Sequence, residues 1–167
     1  MFEADLLQRA VTLLAVMRAH KLLLATAESC TGGLIAGLFT EIAGSSDVVD
    51  RGFVTYSNEA KVELLGVPMT LIIAHGAVSR EVALAMAEGA CARIRAGAPG
   101  LAVAVTGVAG PGGGTAEKPI GLVHLAVART DRTTLHRECR FGEIGRSGVR
   151  LATIYAALDL IQSALPA

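Results

Sequence analysis

At 167 residues the chain has the length of one ordinary domain, able to bury roughly two-thirds of the surface its unfolded form exposes. Its composition is 52% apolar but only 4% aromatic and without Trp, so the core has to be assembled from Ala, Val, Leu and Ile. Fifteen basic and fifteen acidic side chains cancel, which leaves no net field to gather nucleic acid or to coat an anionic membrane.

Residues 4–19 place Leu6, Leu7, Ala10, Leu13, Leu14 and Met17 at helical spacing, with Glu3 and Asp5 near the positive end of the helix dipole. Acidic residues ahead of the apolar part are unlike a signal peptide. The mean hydropathy is +0.53, yet no stretch reaches the ~18 uncharged apolar residues that cross a bilayer. A cytoplasmic protein without a membrane partner is the expectation. Lys21 to Ala27 reads as a short buried strand that stops at Glu28-Ser29-Cys30-Thr31-Gly32-Gly33. A helical pattern then runs from Leu34 to about Ile42, and Gly44 ends it. Val48 to Tyr56 reads as a second strand. Ser57 or Asn58 can cap a short helix from Glu59 to Leu65 that Gly66 closes, which puts Lys61 in a first helical turn. After Pro68, residues 69–75 form another short helix, and Ser79 caps a long one predicted to reach about Ala96. Val82, Ala85, Met86, Ala90 and Ile94 are its predicted buried stripe.

Leu101 to Thr106 is an unbroken apolar run, as expected of a central strand covered on both faces. It empties into Gly107-Val108-Ala109-Gly110-Pro111-Gly112-Gly113-Gly114-Thr115, where no regular element can persist. Gly121–Ala128 and Thr133–Phe141 are further strands with Asp131 at the turn, joined too tightly for a crossover and therefore antiparallel. A helix from about Arg146 to Ala164 closes the chain. Helices interleave with about five strands, which predicts a single α/β domain over 1–167 with a mixed sheet.

Ser29 sits where a strand hands over to a helix, and the backbone N–H groups of Cys30 to Gly33 are expected to be free and outward-facing. Such amides can hold an oxyanion, although a serine also needs a base to attack. A plain N-cap is the competing reading of Ser29. Cys30 competes as nucleophile, because a thiol at a helix N-terminus is acidified; its alternative is a buried structural cysteine. Only one of these neighbours can face the cleft, and the sequence leaves open which. None of the four histidines, His20, His75, His124 and His136, falls in a Gly-rich or loop-tip site, which turns attention to a lysine base. Lys61 is the best placed, since the helix dipole and an apolar wall disfavour its ammonium form. Tyr56 could relay the proton. The bland alternative is a solvated lysine beside an edge aromatic.

Cys30, Cys91 and Cys139 contain no C-x-x-C pair, so reduced thiols, no zinc site and no other metal are expected. Gly112-Gly113-Gly114-Thr115 offers bare N–H groups suited to phosphate, with Lys118 as a nearby point charge. It matches neither standard phosphate loop, and glycines there can also simply reverse the chain. Its place after a buried strand nevertheless favours ligand contact. Arg146 and Arg150 begin the last helix. One could reach an anionic group, though arginines at such positions are commonly solvated.

Three separated segments resemble the CinA C-terminal domain family, whose stand-alone members are called nicotinamide-nucleotide amidases. They are Ala27-Glu28-Ser29-Cys30-Thr31-Gly32-Gly33, Val54-Thr55-Tyr56-Ser57-Asn58 with Lys61, and Thr106-Gly107 through Gly110-Pro111-Gly112-Gly113-Gly114-Thr115 with Lys118-Pro119-Ile120-Gly121. His75-Gly76-Ala77-Val78-Ser79 is similar to the family's stretch before its long helix. The resemblance covers nearly the whole chain. It implies a three-layer α/β/α fold around a mostly parallel sheet, and hydrolysis of the nicotinamide mononucleotide carboxamide to nicotinic acid mononucleotide and ammonia. It further implies that Ser29 is the nucleophile, with Lys61 and Tyr56 as its catalytic partners and no cofactor. The substrate-contacting set expected with them is Cys30, Thr31, Gly32, Gly33, Asn58, Thr106, Gly107, Gly112, Gly113, Gly114, Thr115, Lys118 and Arg146. Phe141-Gly142-Glu143-Ile144-Gly145-Arg146 departs from the F-x-G-D-R of many members, with one more residue and no Asp beside the arginine. Two other readings stand beside this one: an amidase using Cys30, and a non-catalytic nucleotide-binding module acting in a competence or stress complex. An Ala-rich helical surface makes a homo-oligomer plausible.

Overall fold

The computed structural model describes residues 2–166. Five strands form one sheet in the order β2-β1-β3-β4-β5: β1 is Leu23–Glu28, β2 Val49–Val54, β3 Gly100–Gly107, β4 Leu122–Arg129 and β5 Arg132–Arg140. β1 pairs in parallel with both β2 and β3, whereas β3/β4 and β4/β5 are antiparallel. Four strands thus share one direction and β4 opposes them. The tight turn after Arg129 forces this reversal, as the short connection predicted.

β1, β3 and β4 are buried along almost their whole length, and β2 and β5 form the partly exposed edges. Because side chains alternate across a strand, the sheet has two distinct faces. On one face Leu24, Leu101, Val103, Val105, Val123, Leu125 and Val127 meet α1 (Ala4–Ala19), α2 (Leu34–Thr40) and α6 (Arg146–Ala164). There α1 contributes Leu6, Leu13, Leu14 and Met17, each 4% exposed or less and worth about 1.5–3 kcal/mol of transfer free energy. The other face is made largely of alanine: Ala25, Ala27, Ala102, Ala104, Ala126 and Ala128. Against it packs α5 (Arg80–Cys91), flanked by α3 (Asn58–Leu65) and α4 (Met69–His75).

Two differences from the expected elements matter. The helix capped by Ser79 stops at Cys91 rather than near Ala96, because Arg93 and Ile94 switch to shorter bonds onto the Ala90 and Cys91 carbonyls. Its buried stripe includes Ala83 and Ala87 while Ala85 is only half-buried, since α5 lies flat on the alanine floor and buries a wider face. Gly89 allows α3 to cross α5 closely: a Cβ there would stand 2.0 Å from the Leu65 carbonyl oxygen. Among the described residues no helix is long and apolar enough to cross a membrane.

Candidate active site

β1 leads through α2 to β2 on one side of it, and the chain then returns by way of α5 to β3 on the other side. The carboxyl ends of β1 and β3 therefore border the crevice in which open α/β sheets bind ligands. A cavity of about 230 Å³ lies there. Ser29 and Cys30 follow β1 into it; Tyr56, Asn58 and Lys61 come from the β2–α3 corner, and Thr106, Gly107 and Ala109 from the end of β3. Ala77 and Val78 from the α4–α5 link and Arg146 from α6 complete the wall. A larger opening of about 380 Å³ lies at the opposite, amino ends of β1 and β3 among Arg18, Lys21 and Arg95, without a serine or a buried amine.

Lys61 is the central side chain. Ser57 caps α3 by accepting from the Ala60 amide at 3.0 Å, so the helix starts immediately after β2 and the lysine stem runs inward. It is 1% exposed. Its Nζ lies 3.1 Å from Ser29 Oγ and 2.8 Å from the Thr55 carbonyl, with the Tyr56 and Ser57 carbonyls at 3.5 and 3.4 Å. Among the described residues no carboxylate pairs with it. Burial in the absence of a counter-ion pushes the Lys61 ammonium below the usual lysine range. A neutral amine has two N–H bonds for the carbonyls and one lone pair for the Ser29 hydroxyl.

Cys30 borders the cavity, yet it is only 5% exposed and belongs to the buried cluster shared with α1, α2 and α6. Burial pushes its thiol up to about 12, the opposite of the acidification expected at a free helix N-terminus. The expectation of free amides from Cys30 to Gly33 is corrected too. The buried Glu28 carboxylate accepts from the amides of Gly33 at 3.0 Å, Ile35 at 3.0 Å and Ala36 at 2.8 Å, and the Gly32 amide donates to the Ser29 carbonyl at 3.1 Å. Cys30 and Thr31 keep amides that donate to no other residue among those described.

Arg146 reaches the site. Its Nη2 donates to Tyr56 Oη at 2.8 Å and its Nη1 to the Gly110 carbonyl at 2.9 Å, tying the end of β2 to the Gly-rich segment across the mouth. Tyr56 is otherwise open, at 60% exposure. Thr106 Oγ1 donates to the Ala77 carbonyl at 2.8 Å and fixes the α4–α5 link as a cavity wall. Asn58 lines the cavity rather than capping α3.

Other expected residues lie off the cavity. Thr31, Gly32 and Gly33 form the back of the Ser29 turn. Gly112, Gly113, Gly114 and Thr115 are exposed and outside the lining, folded on themselves through Thr115 N–H to the Lys118 carbonyl and Lys118 N–H to Thr115 Oγ1. Lys118 Nζ donates to the His75 carbonyl at the end of α4. Among the residues that line the cavity or support its turn, the sequence reading assigns no role to Glu28, Ala77, Val78 or Ala109, and it leaves Arg150 between reaching an anionic group and lying solvated. Glu28 did carry a signal, since an acidic residue closing a buried apolar strand must find internal donors. His124 and His136 stack across β4 and β5 with Nδ1 and Nε2 3.1 Å apart, behind Thr106 rather than in the cavity. Among the described residues no cluster of three or more His, Cys, Asp or Glu is arranged to hold a metal ion.

A sequence model of the CinA C-terminal domain matches residues 7–165. The chain belongs to the CinA C-terminal domain family. It is 52% identical over 141 residues to a CinA-like protein of Anaeromyxobacter dehalogenans, covering 84% of this chain and 33% of that protein. It is 61% identical over 109 residues to a putative competence-damage inducible protein of Symbiobacterium thermophilum, covering 65% of this chain and 25% of that one. The chain thus spans about a third of the length of the curated CinA relatives it matches. Solved structures agree with the fold. The competence/damage inducible protein CihA of Agrobacterium tumefaciens superimposes with a TM-score of 0.93 at 54% identity, over 98% of this chain and 97% of that one. A CinA superfamily protein of Escherichia coli gives 0.88 at 29% identity, over 99% and 94%.

Proposed function

We propose that this CinA domain is an amidohydrolase that deamidates nicotinamide mononucleotide, with Ser29 as nucleophile and Lys61 as base. The observation that carries the reading is the 3.1 Å contact between Ser29 Oγ and the buried, carboxylate-free Lys61 Nζ at the edge of a cavity. Neutral Lys61 takes the hydroxyl proton while Oγ attacks the carboxamide carbon. The tetrahedral oxyanion falls to the amide of Cys30, which borders the cavity and donates to no other residue among those described. Lys61, now an ammonium, returns its proton to the departing nitrogen, ammonia leaves, and the acyl-serine remains. Lys61 then draws a proton from water, which attacks the acyl carbon; the bond from that carbon to Ser29 Oγ breaks as Lys61 returns the proton to Oγ, freeing the acid and restoring the serine. Tyr56, held by Arg146, stands at the mouth where it can contact the substrate. The pyridine nucleotide as substrate rests on the family resemblance of the three segments. The buried, deacidified thiol of Cys30 favours Ser29 over its neighbour.

Ammonia release is to be measured with nicotinamide mononucleotide, nicotinamide and the dinucleotide, for the wild type and Ser29→Ala. Release from the mononucleotide that Ser29→Ala abolishes is the expected result. Binding of the mononucleotide without release would instead indicate a non-catalytic module, and a fully active Ser29→Ala would end the serine reading.

A further inference from the structure

The Ser29 turn is gripped from behind by two charged residues that do not reach the cavity. Glu28, 0% exposed, directs its carboxylate into the first amides of α2. Those amides would otherwise attract an anion themselves, so a substrate anion is kept away from them. From α6, Arg150 Nη2 donates to the Thr31 carbonyl at 2.8 Å. Its Nε is buried without a hydrogen-bond partner, so the guanidinium stays beneath the turn at a desolvation cost.

Peptide planarity carries this grip to the reacting centre. The Thr31–Gly32 peptide is fixed at both ends, its carbonyl by Arg150 and its N–H by the Ser29 carbonyl at 3.1 Å. In a trans peptide C=O and N–H point in opposite directions. Fixing the Ser29 carbonyl on Gly32 therefore also fixes the direction of the Cys30 N–H, the amide assigned above to the oxyanion. Meanwhile the Ser29 N–H donates to the Val105 carbonyl at 3.1 Å, tying the start of the turn to β3.

We propose that Glu28 and Arg150 are positioning residues of the nucleophile turn: they lock the Ser29–Cys30 and Thr31–Gly32 peptides so that Ser29 Oγ meets Lys61 while the Cys30 amide faces the cavity. This rests on the serine–lysine reading above. Charge-assisted bonds of this kind are roughly twice as strong as neutral ones, and misplacement by about 1 Å of a reacting group can cost 100-fold in rate.

The test uses Arg150→Met, Arg150→Lys and Glu28→Gln, each checked for folding by thermal melting, with kcat and KM for ammonia release from the mononucleotide. Arg150→Met and Glu28→Gln are expected to lower kcat about 10- to 100-fold with KM within about twofold. The rising limb of the pH profile should not move, because Lys61 keeps its own partners. Arg150→Lys, which can still donate to the Thr31 carbonyl, should recover part of the loss. A kcat within twofold of wild type in folded Arg150→Met, or a loss confined to KM, overturns the proposal. If Glu28→Gln does not fold, Arg150→Met decides alone. A crystal structure of Arg150→Met separates this from failure of the serine reading: a rotated Thr31–Gly32 peptide supports the grip whether or not ammonia is released, and an unchanged turn overturns it.

Discussion

Replacing Lys61 by methionine removes the amine while filling most of the same buried channel. The lost base is expected to cost 10²- to 10⁴-fold in turnover, about 2.7–5.4 kcal/mol of transition-state stabilisation. The structural cost is smaller. The Thr55 carbonyl loses a donor at 2.8 Å, a penalty of about 1–3 kcal/mol for a buried unpaired acceptor. An apolar side chain without an amine to desolvate offsets part of that. At about 2–4 °C per kcal/mol for a domain of this size, the melting temperature should fall only a few degrees while ammonia release falls at least 100-fold. The pH dependence supplies the sharper signature. Lys61 acts as base only when neutral, and burial holds its pKa below the ordinary value of about 10.4, so kcat/KM should rise with pH through that lowered value. In Lys61→Met this limb disappears. Stability follows the same sign: the unfolded chain binds this proton more readily, so the contribution of Lys61 is present above about pH 10.4 and is lost as pH falls through the folded value. A well-folded Lys61→Met that releases ammonia within tenfold of wild type, or keeps the rising limb, would refute the reasoning.

Arg146→Ala breaks both bonds across the cavity mouth; turnover should drop at least tenfold, Tyr56→Phe should add little on top of it, and melting should be nearly unchanged because Arg146 is exposed. Cys30→Ser should keep ammonia release within about threefold, and wild-type inactivation by iodoacetamide should be slow, since a buried thiol at about 12 has almost no thiolate at neutral pH. Gly89→Ala, normally worth up to about 1 kcal/mol in a helix, should instead lower the melting temperature, because the new methyl meets the Leu65 carbonyl and pushes α3 away with Lys61 on it. His124 and His136 are both pushed below the usual histidine value, chiefly by burial; His136 and then Lys118 near His124, and Arg80 near His136, add to this, while Glu138 and Glu81 act against it. Their contribution is therefore intact above about pH 6.5 and fades as pH falls through the folded values, with a slope up to about 1.4 kcal/mol per pH unit for each extra proton bound by the unfolded chain. Melting curves between pH 8 and 5 should show this loss, and His124→Phe should flatten it.

The sheet was readable because β1 and β3 are covered on both faces and so appear as uninterrupted apolar runs, and because the turn between β4 and β5 admits a single direction. Lys61 and Ser29 were readable as residue types at element boundaries, but their 3.1 Å contact depends on how α3 leaves β2. The Gly112 loop shows the limit of a positional rule. The chain touches the cavity at Ala109 and then turns outward, where Thr115 and Lys118 bond each other in place of a ligand. Ala77 and Val78 carry no polar side-chain atom, so no pattern could mark them as cavity wall. The role of the α2 amides was misread for a different reason: local geometry does promise free donors, and a buried carboxylate supplied by the preceding strand claims them first.

The alanine floor beneath α5 gives the two faces of the sheet opposite tolerances. Opposite α1 and α6, where leucine and valine fill the space, shrinking a side chain is the damaging change. Beneath α5 enlargement is damaging, since one added branch at Ala104 or Ala126 lifts the helix and with it the Ala77–Val78 wall that Thr106 holds in place. The shape of the cavity is thus open to tuning from a layer that does not line it, by the size of a methyl group on the far side of its wall.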